Sequence, residues 1–72
     1  MVQKFLRLAE VLEMTGLSKP TIYRLGAMGR FPRPVKLDER ASGWLENEVE
    51  RWQEARIAKR DSEPAPKGRH AA

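Results

Sequence analysis

The stretch Thr15-Gly16-Leu17-Ser18-Lys19-Pro20-Thr21-Ile22-Tyr23-Arg24 decides how this chain folds. Gly16 offers a residue that enters the left-handed region without a Cβ penalty and so ends a helix. Leu17 supplies an apolar plug, and Ser18 a hydroxyl suited to cap the next helix. Pro20 is tolerated in a first turn, where backbone N–H groups have no intrahelical acceptor. Upstream, Leu8, Val11, Leu12 and Thr15 recur at i, i+3, i+4 and i+7, one helical face. Two short helices are therefore expected, Leu8 to Thr15 and Ser18 through Met28, the second stopping at Gly29. The first spans barely two turns and depends on tertiary packing. Arg7 is a poor N-cap, although Glu10 in the first turn suits the helix dipole.

Downstream, Phe31-Pro32-Arg33-Pro34 must be extended, because a residue before proline is pushed out of the α region. Val35-Lys36-Leu37 reads as a short strand, Asp38-Glu39-Arg40-Ala41 as a polar turn, and Ser42-Gly43-Trp44 as the returning strand. So short a hairpin cannot stand alone, so Leu37 and Trp44 are expected to pack on the helices. A third helix follows from about Leu45 to Arg60. Leu45, Val49 and Trp52 stand one above another on it, with Ile57 at the edge of that stripe. Asn47-x-x-Glu50 resembles a capping box near its start. Residues 1–60 form the expected domain. Residues 61–72, with Pro64, Pro66 and no apolar anchor, read as a disordered tail.

Ile22 and Leu25 facing inward oppose Val11 and Leu12 across the Gly16 turn, the requirement of a helix-turn-helix. With the hairpin and last helix added, the expected fold is mainly α with a small β-hairpin, a winged helix-turn-helix. Gly26 falls on the inner edge of the second helix. There a missing side chain would let the helices approach, at up to ~1 kcal/mol relative to alanine.

The 72 residues are 40% hydrophobic and 33% charged, which suits one small globular domain. There is no cysteine, which removes disulfides, cysteine zinc sites and thiol nucleophiles, and the single histidine, His70, anchors neither a metal nor a triad. No apolar run approaches a membrane span and no signal-peptide segment follows Met1, so a cytoplasmic protein without enzyme chemistry, cofactor or metal is expected. Glu46, Glu48 and Glu50 do not converge on one helical face and read as compensation of the helix dipole.

The net charge of +4 is unevenly placed. Residues 1–43 hold eight basic and four acidic side chains, the whole excess, and five bases with no acid lie between Met14 and Leu37. A polyanion should meet that middle section. With Ile22 and Leu25 inward, Pro20, Tyr23, Arg24 and Ala27 point outward, flanked by Lys19 and Thr21. That surface suits the DNA major groove, where arginine reads guanine O6 and N7. Ser18, Thr21 and Tyr23 can donate to phosphate oxygens. Arg40 at the hairpin tip is placed for the backbone or minor groove, with Arg30, Arg33 and Lys36 as a phosphate-binding rim. Against this, Trp44 and Trp52 read as core rather than base-stacking residues, and the Tyr23 ring can cover the core edge while its hydroxyl reaches out.

At Phe5-Leu6-Arg7-Leu8, Val11-Leu12 and Thr15 to Arg24, the chain resembles the AlpA family of phage-type transcriptional regulators. Gly29 to Leu37, Arg40-Ala41-Ser42-Gly43-Trp44 and Glu48-Val49-Glu50-Arg51-Trp52 extend the resemblance over about residues 5–60. The family is similar in fold to MerR-type DNA-binding domains and to phage excisionases. The resemblance implies sequence-specific binding of double-stranded DNA in prophage control, with RNA polymerase or an integrase as protein partners. Asp38 stands where the family often has glycine, and Gly26 where a larger apolar residue is frequent. An excisionase-like factor that bends DNA would use the same surface, and a protein-interaction module would use none of it for DNA. With no heptad seam, a monomer in solution is expected, with any pairing on adjacent DNA sites.

Overall fold

A computed structural model describes residues 2–63. In chain order the elements are β1 (Phe5–Leu6), α1 (Leu8–Thr15), α2 (Lys19–Ala27), β2 (Val35–Asp38), β3 (Ala41–Leu45) and α3 (Glu46–Ser62). The winged helix-turn-helix is present, and its sheet has three strands rather than two. β3 is central in the order β1-β3-β2, antiparallel to both neighbours. β1, absent from the sequence reading, pairs Phe5 with Leu45 and Leu6 with Trp44. Two residues are too short to show a strand period, and only pairing to β3 makes them one.

The α1–α2 turn closes as Gly16 predicts. Gly16 has φ 73° and donates its N–H to the Leu12 carbonyl at 2.8 Å. The Thr15 hydroxyl adds a relay, donating to the Val11 carbonyl at 2.8 Å and accepting the Leu17 N–H at 3.2 Å. At the start of α1, the Glu10 carboxylate accepts the Arg7 N–H at 2.9 Å, which supplies the cap that the Arg7 side chain cannot. α2 ends in a Schellman arrangement, with Gly29 (φ 73°) donating to Gly26 and Arg30 donating to Leu25.

The core is Leu6, Val11, Ile22, Phe31, Trp44 and Val49, ringed by Leu8, Leu12, Met14, Leu17, Leu25 and Trp52. Trp44 lies in the core and Trp52, half-buried, packs against it. Each also holds the Arg30–Pro34 connector by its one donor. The Trp44 Nε1–H donates to the Pro32 carbonyl at 3.1 Å, and the Trp52 Nε1–H to the Arg30 carbonyl at 2.8 Å. Phe31, buried between these anchors, meets Trp52 edge to face at 4.9 Å. Gln53 Nε2 donates to the Met14 carbonyl at 2.8 Å, tying α3 to the last turn of α1.

Several expectations need correction. Leu37 does not pack on the helices and is 41% exposed. The pairing shifts by one residue between Lys36 and Asp38, so Leu37 is the extra residue of a bulge. Its Cδ1 instead lies over Gly43 on the outer face of the sheet. That bulge accommodates the two-residue turn Glu39–Arg40 without any non-glycine residue at positive φ among the described residues. The strands accordingly take in Asp38 and Ala41, which the sequence reading gave to the turn.

Asn47 and Glu50 form no capping box. Leu45 is the N-cap, and the Glu46 N–H is satisfied by the Lys4 carbonyl at 2.9 Å, a partner that exists only because β1 lies alongside. α3 runs to Ser62, past the expected end at Arg60, and everything beyond Gln53 is exposed, Ile57 included at 50%. Most of the expected tail, residues 64–72, lies outside the described residues.

Gly26 is buried, yet a Cβ built there meets nothing within 4 Å, so it does not serve close helix approach. Gly43 is the crowded glycine. A Cβ there would sit 3.0 Å from Leu37 Cδ1, 3.1 Å from Phe5 Cβ and 3.3 Å from the Leu6 carbonyl oxygen. The two should respond oppositely to alanine. Gly26→Ala is expected to stabilise by up to ~1 kcal/mol by removing a mid-helix glycine. Gly43→Ala is expected to destabilise by about 1–3 kcal/mol through overpacking. Urea unfolding of both variants measures the signs, and a stabilised Gly43→Ala would refute the crowding.

Candidate nucleic-acid interface

The exposed side of α2 and the turn of the β2–β3 wing carry most of the residues singled out in the sequence. Lys19, Pro20, Arg24 and Ala27 are exposed, and Thr21 is half-buried. Ser18 holds the N-cap position with an extended backbone, and its carbonyl accepts the Ile22 N–H at 3.0 Å. Its hydroxyl does not cap the helix. It pairs with the Thr21 hydroxyl at 2.9 Å, so these two polar groups face the surface as a unit. Arg24 makes no ion pair among the described residues.

Tyr23 takes the double position its chemistry allows. Its ring is 44% exposed and approaches Trp44 edge-on, with centroids 6.0 Å apart and planes at 63°. Because Trp44 is 1% exposed, this contact seats an outward residue of α2 on the buried core. Tyr23 and Trp44 both line two hollows. One, of about 220 Å³, lies under Gly26 and is bounded by Ile22, Ala27, Arg33 and Pro34. The other, of about 400 Å³, opens between Tyr23, Arg40 and Ser42 of the wing and Arg7 at the start of α1.

The remaining basic residues are dispersed. Arg40, in the wing turn, lines the larger hollow with Tyr23, and Arg33 lines the smaller one. Lys36 is engaged by the hairpin itself, its Nζ donating to the Glu39 carbonyl at 2.9 Å. Arg30 turns away to a hollow shared with Phe31, Glu48, Arg51 and Trp52, on the α3 side. The sequence reading missed Arg7 and Ser42 as neighbours of this surface. Local sequence places Arg7 only at the start of α1, and its proximity to the wing follows from the pairing of β1 with β3. The adjacent Phe5-Leu6 pair, one residue exposed and the next buried against Trp44, was the available signal.

Among the described residues no helix is long and apolar enough to cross a membrane, and no group of three His, Cys, Asp or Glu side chains could hold a metal ion.

The fold is that of a winged helix-turn-helix domain. The pattern of the prophage CP4-57 regulatory protein (AlpA) family matches residues 4–57, and the chain belongs to that family. A protein of Enterobacteria phage P4, described as uncharacterized protein ORF88, is 45% identical over 58 residues. That alignment takes in 81% of this chain and 66% of the phage protein.

The Tyr23 geometry separates ring from hydroxyl. Tyr23→Phe should leave thermal stability within about 0.5 kcal/mol of the parent, as for a surface change. Tyr23→Ala should cost at least ~0.5–1.5 kcal/mol for the aromatic pair alone. Equal melting of the parent and Tyr23→Ala would show that the ring is not part of the core.

Proposed function

We propose that the chain is a sequence-specific double-stranded DNA-binding transcriptional regulator, with α2 in the major groove and the wing on the backbone or minor groove. The observation that carries this is the outward face of α2. Lys19, Thr21 and Arg24 stand on it without an acidic neighbour on the helix, while the opposite face is locked into the core by Ile22. A rigidly held helix presenting a free guanidinium is what bidentate guanine reading needs. Arg24 takes the base-reading role. Lys19, Ser18 and Thr21 take phosphates at the helix start, and Arg40 takes the backbone or minor groove from the wing. Pro20 shapes the first turn, and Arg33 and Lys36 add positive potential beside it. Arg30, on the α3 side, contributes charge at longer range. Membership of a prophage regulatory family supports the reading.

Duplexes selected from a random pool supply the probe. With about four to six phosphate contacts, affinity for the best duplex should fall roughly a hundredfold to a thousandfold between 50 and 200 mM salt. An affinity indifferent to salt would make the chain a protein-interaction module instead. Arg24→Ala should weaken the selected duplex by ~1–3 kcal/mol and relax preference at one base pair. An equal loss on every sequence would reassign Arg24 to a phosphate. A large bend in the bound duplex would favour an excision factor, which works with an integrase, over a regulator that acts on RNA polymerase.

A further inference from the structure

The hollow of about 400 Å³ joins three elements that are far apart in sequence: the residue before α1, the middle of α2 and the wing. Its polar lining consists of Arg7, Tyr23, Arg40 and Ser42 over a floor that includes Trp44, and no carboxylate takes part. No hydrogen bond or ion pair within the described residues engages the side-chain polar atoms of these four. By contrast, polar side chains elsewhere in the helix-turn-helix and the wing are committed: Lys36 to Glu39, Ser18 to Thr21, and Thr15 to Val11. The start of α1 adds little itself, since the Glu10 carboxylate already sits on the Arg7 N–H. The site therefore rests on its side chains.

Two guanidinium groups with two hydroxyl donors and no carboxylate in the lining suit a tetrahedral oxyanion, which can accept several N–H and O–H bonds at once. We infer that this hollow seats one backbone phosphate of the DNA duplex, and that Arg7 is a phosphate-binding residue of the interface. The inference rests on the DNA-binding reading above and deepens it. Tyr23 belongs both to the hollow and to α2, so a phosphate held there lies on the strand bordering the groove that α2 enters. Because Arg7 comes from the start of α1 and Arg40 from the wing, a single seated phosphate ties α1, α2 and the wing to one point of the duplex. It sets how α2 is rotated and how deeply it enters, without reading a base.

Arg7→Gln tests this cleanly, because the Glu10 bond uses the backbone N–H of residue 7 and survives the change. Relative to the parent on the selected duplex, the slope of log affinity against log salt should fall by up to about 0.9, one phosphate's share, with the same loss on every sequence. A scan of single neutral methylphosphonates should find one position that weakens the parent clearly more than it weakens Arg7→Gln, which still holds that phosphate through Arg40 and the two hydroxyls. Unchanged slope, or additive effects of the variant and every methylphosphonate, would overturn the assignment. Saturable, Arg7-dependent binding of inorganic phosphate to the free protein, with no privileged position in the scan, would make the hollow a free-anion site and also overturn it. A parent that binds no duplex defeats the DNA reading itself. Loss of specificity in Arg24→Ala alongside a normal Arg7→Gln defeats only the phosphate seat.

Discussion

A fully buried indole has one N–H to satisfy and no water to satisfy it, and at Trp44 that requirement organises the domain. Among the described residues its acceptor is the Pro32 carbonyl, in a segment that two prolines keep extended and available. Once that bond forms, the connector between α2 and the wing has a fixed path. Trp52 repeats the device two residues earlier at Arg30, and Phe31 fills the space between. The strand carrying Trp44 is also the central strand, pairing with β1 through Leu6 and with β2 through Gly43. Losing a buried tryptophan side chain costs on the order of 3–5 kcal/mol, a large part of what so small a domain has.

Much of this was legible because local chemistry and the fold agree. Gly16 and Gly29 take the left-handed positions that their sequence surroundings predict, and Pro20 sits in the first turn of α2. The inward placement of Ile22 and the outward placement of Arg24 follow from 100° per residue alone. What escaped the sequence depends on contacts between distant segments. β1 exists only by pairing with β3, and through it the Lys4 carbonyl, not Asn47, satisfies the first N–H of α3. Leu37 alternates properly with Lys36, but a bulge shifts it from the core side to the outer face. A period-two pattern carries no mark of where one extra residue enters.

The surface was less legible than the core. Residue type and helical phase give the exposure of Lys19, Arg24 and Arg40, but not which cations share a neighbourhood. Arg30 and Arg33 are three residues apart and end on different sides of the domain, since the Trp44 and Trp52 anchors direct the chain between them. Arg7 and Arg40 are far apart in sequence and border one hollow. The uneven charge along the chain marks out the half of the sequence that holds these cations, and the strand pairing decides how they are grouped.

The edge-on contact of Tyr23 with Trp44 has a consequence for how such a protein can change over generations. A surface residue resting on open solvent is replaced at little cost, whereas one that also shields a core ring is answerable to two selections at once. If α2 reads DNA as proposed, new operator preferences are open to Lys19, Pro20, Arg24 and Ala27, all exposed and none of them core residues. At Tyr23 a gain in recognition must also survive the loss of packing. The helix thus offers a few freely variable positions around one that is anchored.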